Sequence, residues 1–154
     1  MKRGYVDVPE GQVHYRAEGS GDVIVLLHMA GSSSDEYSKV IPYLSKTHRA
    51  IAPDYLGCGD SDPAPRAYEV EDHVRTVAKL IDALGIEKAS FVGHHVGAEV
   101  VVELALTCPE RMDKIILSSL PYFRDEQERI AYVSKPHFNP VHIRPDGSHL
   151  MEWW

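Results

Sequence analysis

Apolar and polar residues alternate at the start of the chain. Tyr5-Val6-Asp7-Val8 and Val13-His14-Tyr15-Arg16-Ala17 both follow a two-residue period, and Pro9-Glu10-Gly11-Gln12 between them has turn chemistry. The pattern predicts an antiparallel hairpin with one covered face. Val23-Ile24-Val25-Leu26-Leu27 is apolar throughout, which marks a strand buried on both faces. Arg49 to Pro53, Ala89 to Val92 and Lys114 to Ser118 repeat that character. Between these runs the period lengthens. Tyr37, Val40, Ile41 and Leu44 have helical spacing, with Pro42 placed to kink or shorten the helix, and Ser33 with Glu36 reads as a capping box. Val70, Val74, Val77, Ala78, Ile81 and Leu84 mark an amphipathic helix that Gly85 stops. Val100, Val101, Leu104, Ala105 and Cys108 mark another, ending before Pro109. Strands alternate with helices. The expected fold class is therefore α/β, a mostly parallel sheet with an N-terminal antiparallel hairpin and helices on both faces.

After Pro121 the pattern dissolves among prolines, with a short helical stretch from Arg124 to Val133. The expected organisation is a core over residues 1–120 and a tail or the start of a cap over 121–154. Trp153 and Trp154 at the end suggest a partner surface or a continuation of the chain. The formal net charge is -7 and no Lys/Arg run interrupts it, so nucleic acid and anionic membranes are not expected partners. No run approaches the roughly 18 apolar residues of a membrane span. No apolar segment follows Met1-Lys2-Arg3, so no leader peptide is read there. Cys58 and Cys108 then read as free thiols in a reducing compartment, the cytoplasm.

The stretch Phe91-Val92-Gly93-His94-His95-Val96-Gly97-Ala98 has the layout of a nucleophile elbow. In that layout a tight turn between strand and helix lifts one side chain above the end of a sheet. His95 holds the nucleophile position. An imidazole titrates near neutrality, so His95 reads as base, nucleophile or hydrogen-bond donor, against a degenerate elbow that keeps only the turn. His94 reads as a packing or bonding residue of the turn, and His28 as a residue that holds its loop through backbone bonds. His28, His94 and His95 could converge, but adjacent strand residues point to opposite faces and no Asp, Glu or Cys stands at ligand spacing. Neither a metal nor a cofactor is expected. Asp54 and Asp60 read as ordering their own turn. Cys58 has no base beside it in sequence.

Four stretches together resemble the α/β-hydrolase fold family, in its esterase, dehalogenase and epoxide-hydrolase branch, over residues 12–120. They are Leu26-Leu27-His28 with Met29-Ala30-Gly31-Ser32, Asp54-Tyr55-Leu56-Gly57-Cys58-Gly59-Asp60-Ser61-Asp62, the elbow from Val92 to Gly97, and Cys108-Pro109-Glu110-Arg111-Met112 before Ile115-Ile116-Leu117. The resemblance implies an oxyanion hole made by the backbone N–H groups of Ala30 and Val96. It implies a substrate-binding loop at His28 and Met29, where Met29 departs from the family's usual Gly. It also implies a small-molecule substrate, an apolar ester, lactone or C–C bond compound. The family's acid and catalytic His come after later strands, and His137, His142 and His149 lack that strand-loop context. The alternative is a non-catalytic binding protein, a pseudoenzyme on a hydrolase scaffold. It would form a homodimer through an open sheet edge left apolar by Ile115, Ile116 and Leu117.

Overall fold

Every run predicted as a strand is one in the computed structural model, which describes residues 1–134 and 144–146. β1 (Lys2–Val8) and β2 (Gly11–Glu18) form the hairpin, with Tyr5 opposite His14 and Val6 opposite Val13. β3 (Val23–Leu27) lies between β4 (Arg49–Pro53) and β5 (Ala89–His94), parallel to both. β6 (Met112–Ser118) continues parallel to β5, while β2 joins β4 antiparallel. The order across the six-stranded sheet is β1-β2-β4-β3-β5-β6. The fold is the expected α/β class: a parallel sheet with an antiparallel hairpin on one side.

The two-residue period of the strands divides the core. Val25, Leu27, Ile51 and Phe91 pack with α2 (Val70–Ala83) and α3 (Val96–Thr107), through Val74, Val77, Ile81, Val100, Val101 and Leu104. Leu26, Ala50 and Ala52, the alternate residues, pack with Tyr37 and Ile41 in a second cluster. Neighbouring residues on β3 therefore serve different cores, which requires apolar character at every position. A third cluster joins Val6 and Val13 of the hairpin to Leu56 and Leu80.

Between β3 and β4 the predicted helix is broken in two. A single 3-10 turn spans Ser34–Tyr37, and α1 is only Ile41–Leu44. Pro42 lies in the first turn of α1, where its missing N–H costs nothing, but it cannot continue a helix arriving from Tyr37. The capping box expected at Ser33 and Glu36 is half formed. Ser33 Oγ accepts from the Asp35 N–H at 3.3 Å, but the Glu36 carboxylate turns elsewhere. A complete box instead caps α2, through Glu69 and Asp72. Gly85 ends α2 as expected. It has φ +66°, the Gly85 N–H donates to Asp82 O at 3.0 Å, and the Ile86 N–H donates to Ile81 O at 2.9 Å. That pair of bonds needs a left-handed residue, which glycine adopts without strain.

The chain divides into two compact units, Met1–Pro121 and Tyr122–Trp154. The second contains α4 (Glu126–Val133), capped by Asp125 Oδ1 accepting from the Glu128 N–H at 2.9 Å. No described helix is long and apolar enough to cross a membrane. Within the first unit β6 is an edge strand, and it leaves Ile115, Ile116 and Leu117 exposed by 45%, 60% and 37%. Unpaired edge groups flanked by apolar side chains favour self-association. Ile116→Lys should raise the concentration at which the chain stays monodisperse by light scattering, and should change its unfolding free energy by no more than about 0.5 kcal/mol.

Candidate active site

The elbow consists of one residue. β5 ends at His94 and α3 begins at Val96, so His95 alone makes the turn, at φ 54° and ψ −117°. A side-chain-bearing residue at positive φ is strained by order of 1–3 kcal/mol and persists only where its surroundings fix it. Three contacts fix this one. The His95 N–H donates to Ser118 O at 2.9 Å, at the end of β6. The Ala98 N–H donates back to His95 O at 2.8 Å, closing the first turn of α3. The two flanking glycines also allow backbone to approach backbone. A Cβ on Gly93 would lie 2.2 Å from Gly97 O, and one on Gly97 would lie 2.1 Å from Leu27 O. The start of α3 is thereby pressed onto the exit of β3, which brings the His28 loop to the elbow.

His28 is fully buried, and both ring nitrogens are used. Nδ1 donates to Met29 O at 2.8 Å, and Nε2 accepts from the Tyr55 N–H at 3.2 Å. Burial pushes this imidazole below its ordinary titration range and so keeps it neutral, as an acceptor at Nε2 must be. The ring ties the loop after β3 to the loop after β4 and has no polar atom left for a substrate. Met29, the next residue of that loop, is exposed. Among the described residues, no acceptor meets the backbone N–H of Ala30 or of Val96.

Glu36 is the site residue that sequence reasoning missed. Its Oε1 accepts from His94 Nδ1 at 2.7 Å, and its Oε2 accepts from the Met29 N–H at 3.2 Å. One carboxylate thus bridges the residue before the elbow turn and the loop facing it. Burial alone would push the Glu36 carboxyl up. Hydrogen bonds from His94, the Met29 N–H and Ser32 outweigh that and hold it below the ordinary carboxylate range. On the other side of the turn, burial pushes the Glu99 carboxyl up, and the nearby His95 only partly offsets this. His95 Nδ1 is buried with no hydrogen-bond partner.

The remaining candidates play other parts. Asp54 is buried, and its carboxylate accepts three hydrogen bonds. Oδ1 accepts from the Ser34 N–H at 2.5 Å, and Oδ2 accepts from His14 Nδ1 and the Asp60 N–H, each at 2.8 Å. His14, Asp54 and Asp60 have ligand atoms within 4.8 Å of one another, and both oxygens of Asp54 already accept hydrogen bonds from the protein. The Asp54 loop is therefore a structural knot, as its turn chemistry predicted. Cys58 and Cys108 are free and half-buried, and burial followed by Asp54 pushes the Cys58 thiol up, away from nucleophilic use. His137, His142 and His149 lie outside the described residues. A cleft of about 500 Å³ lined by Asp22, Arg49, Lys88 and Asp113 opens at the amino ends of the parallel strands. It lies opposite the elbow, whereas ligands of open α/β sheets bind at the carboxyl ends.

The family model of the alpha/beta hydrolase fold matches residues 22–152. The chain belongs to that family. It is 30% identical over 116 residues to haloalkane dehalogenase 2 of Mycobacterium tuberculosis, covering 75% of this chain and 41% of that protein. It is 33% identical over 121 residues to a 2-hydroxy-6-oxo-6-phenylhexa-2,4-dienoate hydrolase of Comamonas testosteroni, covering 72% of this chain and 41% of that one. Among solved structures, an epoxide hydrolase from Vigna radiata superposes with a TM-score of 0.79 at 27% identity, over 91% of this chain and 45% of that one. The chain thus spans less than half the length of these relatives.

Two measurements test the site's construction. Gly97→Ala should gain about 1 kcal/mol in helix propensity. The clash with Leu27 O is against backbone, which cannot swing away, so a net loss of about 1–3 kcal/mol is expected in urea unfolding. The lowered Glu36 carboxyl contributes stability that is complete above the ordinary carboxylate range and is lost as pH falls through the folded-state value. Acid titration of the melting temperature should therefore be shallower in Glu36→Gln than in the unaltered chain.

Proposed function

We propose that the protein acts as a hydrolase on a small apolar ester, lactone or C–C bond substrate bound above the carboxyl ends of β3 and β5. The observation that carries this reading is the strained elbow at His95, held by two glycines that admit no side chain. Strain of this kind serves to present one side chain, and a binding scaffold has no use for it. The N–H groups of Ala30 and Val96, which meet no acceptor among the described residues, are the donors for the oxyanion, a role that needs no particular side chain. His95 meets the reacting carbonyl as nucleophile or proton carrier. Met29 lines the substrate, and His28 holds the loop that carries it. Several relatives support a small-molecule substrate by name: a haloalkane dehalogenase, an epoxide hydrolase and an enol-lactonase from Burkholderia xenovorans.

Hydrolysis of p-nitrophenyl butyrate and of an N-acyl homoserine lactone, followed at neutral pH, tests the reading. His95→Ala should lower kcat by roughly 10²–10⁴-fold with its melting temperature preserved. Equal rates in the two proteins would remove His95 from the mechanism. Saturable binding of either compound without turnover would favour the non-catalytic reading, a pseudoenzyme that keeps the crevice and has lost the chemistry.

A further inference from the structure

The geometry points to a binding site for a divalent metal ion, zinc or one of similar chemistry, between His14 on β2 and Asp60 in the loop after β4. It is independent of the hydrolase reading, because it uses none of the residues placed in that site. The expectation of no metal concerned His28, His94 and His95, and this group shares none of them. His14 is fully buried, and its Nδ1 donates to Asp54 Oδ2 at 2.8 Å. An ionised carboxylate only accepts, so the proton sits on Nδ1 and the lone pair of a neutral ring on Nε2. That Nε2 is buried with no hydrogen-bond partner. Asp60 Oδ2 lies 4.0 Å from it. A buried acceptor without a donor is unfavourable and uncommon. A ring that gives its Nδ1–H to a carboxylate and keeps Nε2 for a ligand is the arrangement that orients metal-bound histidines.

The backbone around the pair is fixed. Asp54 Oδ2, which orients the ring, also accepts from the Asp60 N–H at 2.8 Å. The His14 N–H donates to Ser61 Oγ at 2.9 Å, and the Asp54 N–H donates to His14 O at 2.9 Å. Asp54 is therefore the outer partner and not a ligand. Asp60 is the half that can adjust: its side chain is half exposed, and Arg3 Nη1 pairs with Oδ2 at 3.6 Å in an exposed ion pair. With zinc bonds of about 2.0–2.2 Å and a tetrahedral angle, the two ligand atoms stand roughly 3.4 Å apart. A small rotation of the Asp60 carboxylate closes that difference, and water fills the remaining positions on its solvent side. An imidazole with a carboxylate suits zinc, nickel or copper, whereas calcium and magnesium take oxygen ligands. The bound ion ties the hairpin to the loop after β4 and, because Asp54 Oδ1 accepts from the Ser34 N–H, braces the turn after β3 as well.

The test uses the full chain, stripped with a chelator and titrated with Zn²⁺ by calorimetry, with Asp60→Asn and His14→Gln beside it. Asp60 holds its loop through its backbone N–H, so Asp60→Asn keeps the fold. The unaltered chain should bind one Zn²⁺ at this site. Its affinity should fall by about tenfold or more in Asp60→Asn, the least that losing even an outer partner costs. His14→Gln should lose the site altogether. Long-range ¹H–¹⁵N spectra should show the His14 Nε2 resonance shifting on zinc addition while Nδ1 stays protonated. The chain has nine histidines, so zinc taken up elsewhere is the rival outcome. Equal affinity in Asp60→Asn overturns the proposal, whether the zinc sits at other histidines or on His14 alone. Absence of binding overturns it too, and a water or a proton then meets Nε2. Displacement of Zn²⁺ by an equal concentration of Mg²⁺ also overturns it, because that denies the imidazole a part. If His14→Gln does not fold, Asp60→Asn and the His14 resonance decide.

Discussion

The contact of Gly97 with the Leu27 carbonyl is the constraint on which the site depends. Backbone presses on backbone there, with room for a hydrogen atom and none for a methyl group. Because α3 can sit that low on β3, the turn between β5 and α3 shrinks to one residue, and that residue is driven to positive φ. Because β3 and β5 are parallel neighbours, the loops leaving their carboxyl ends emerge side by side. The elbow, the Met29–Ala30 loop and the start of α3 then lie together at the carboxyl ends of these strands. None of this depends on what side chain His95 bears.

The second layer is electrostatic and polar. Buried polar groups must find partners, and here they find them across loops far apart in sequence. His28 joins the loop after β3 to Tyr55, Asp54 joins it to His14 and Asp60, and Glu36 joins it to His94. Each link uses an ionised or neutral form that its surroundings favour. His28 is kept neutral by burial, and Asp54 and Glu36 are kept ionised by the hydrogen bonds they accept. A loop held in three places stays in register with the elbow.

β6 shows what the first unit leaves undone. On its inner side it pairs with β5 and supports the elbow through Ser118, while its outer side meets no strand among the described residues. Its apolar triplet reads in sequence as a buried strand, and in this chain it is exposed. The hydrophobic pattern therefore reports the environment for which the strand was selected, whereas the exposure reports what the described residues cover.

Sequence alone determined the strands, the helix ends and the elbow, because each rests on short-range rules. Uniform apolar runs mark strands that serve two cores, Gly85 supplies a left-handed stop, and two glycines four apart permit a sharp strand-to-helix turn. The same rules misassigned Glu36. Its spacing from Ser33 fits a capping box, and nothing local says that its carboxylate will be taken by a histidine 58 residues on. The broken helix at Pro42 was foreseen, but the direction in which it released Glu36 was not. Only the tertiary structure decided that His28 has both nitrogens occupied, that both oxygens of Asp54 accept hydrogen bonds, and that His94 is held by the Glu36 carboxylate. Hydrogen-bond partners across a sheet are set by strand order and register. Those follow from the packing of the whole core, and no stretch of the sequence carries them by itself.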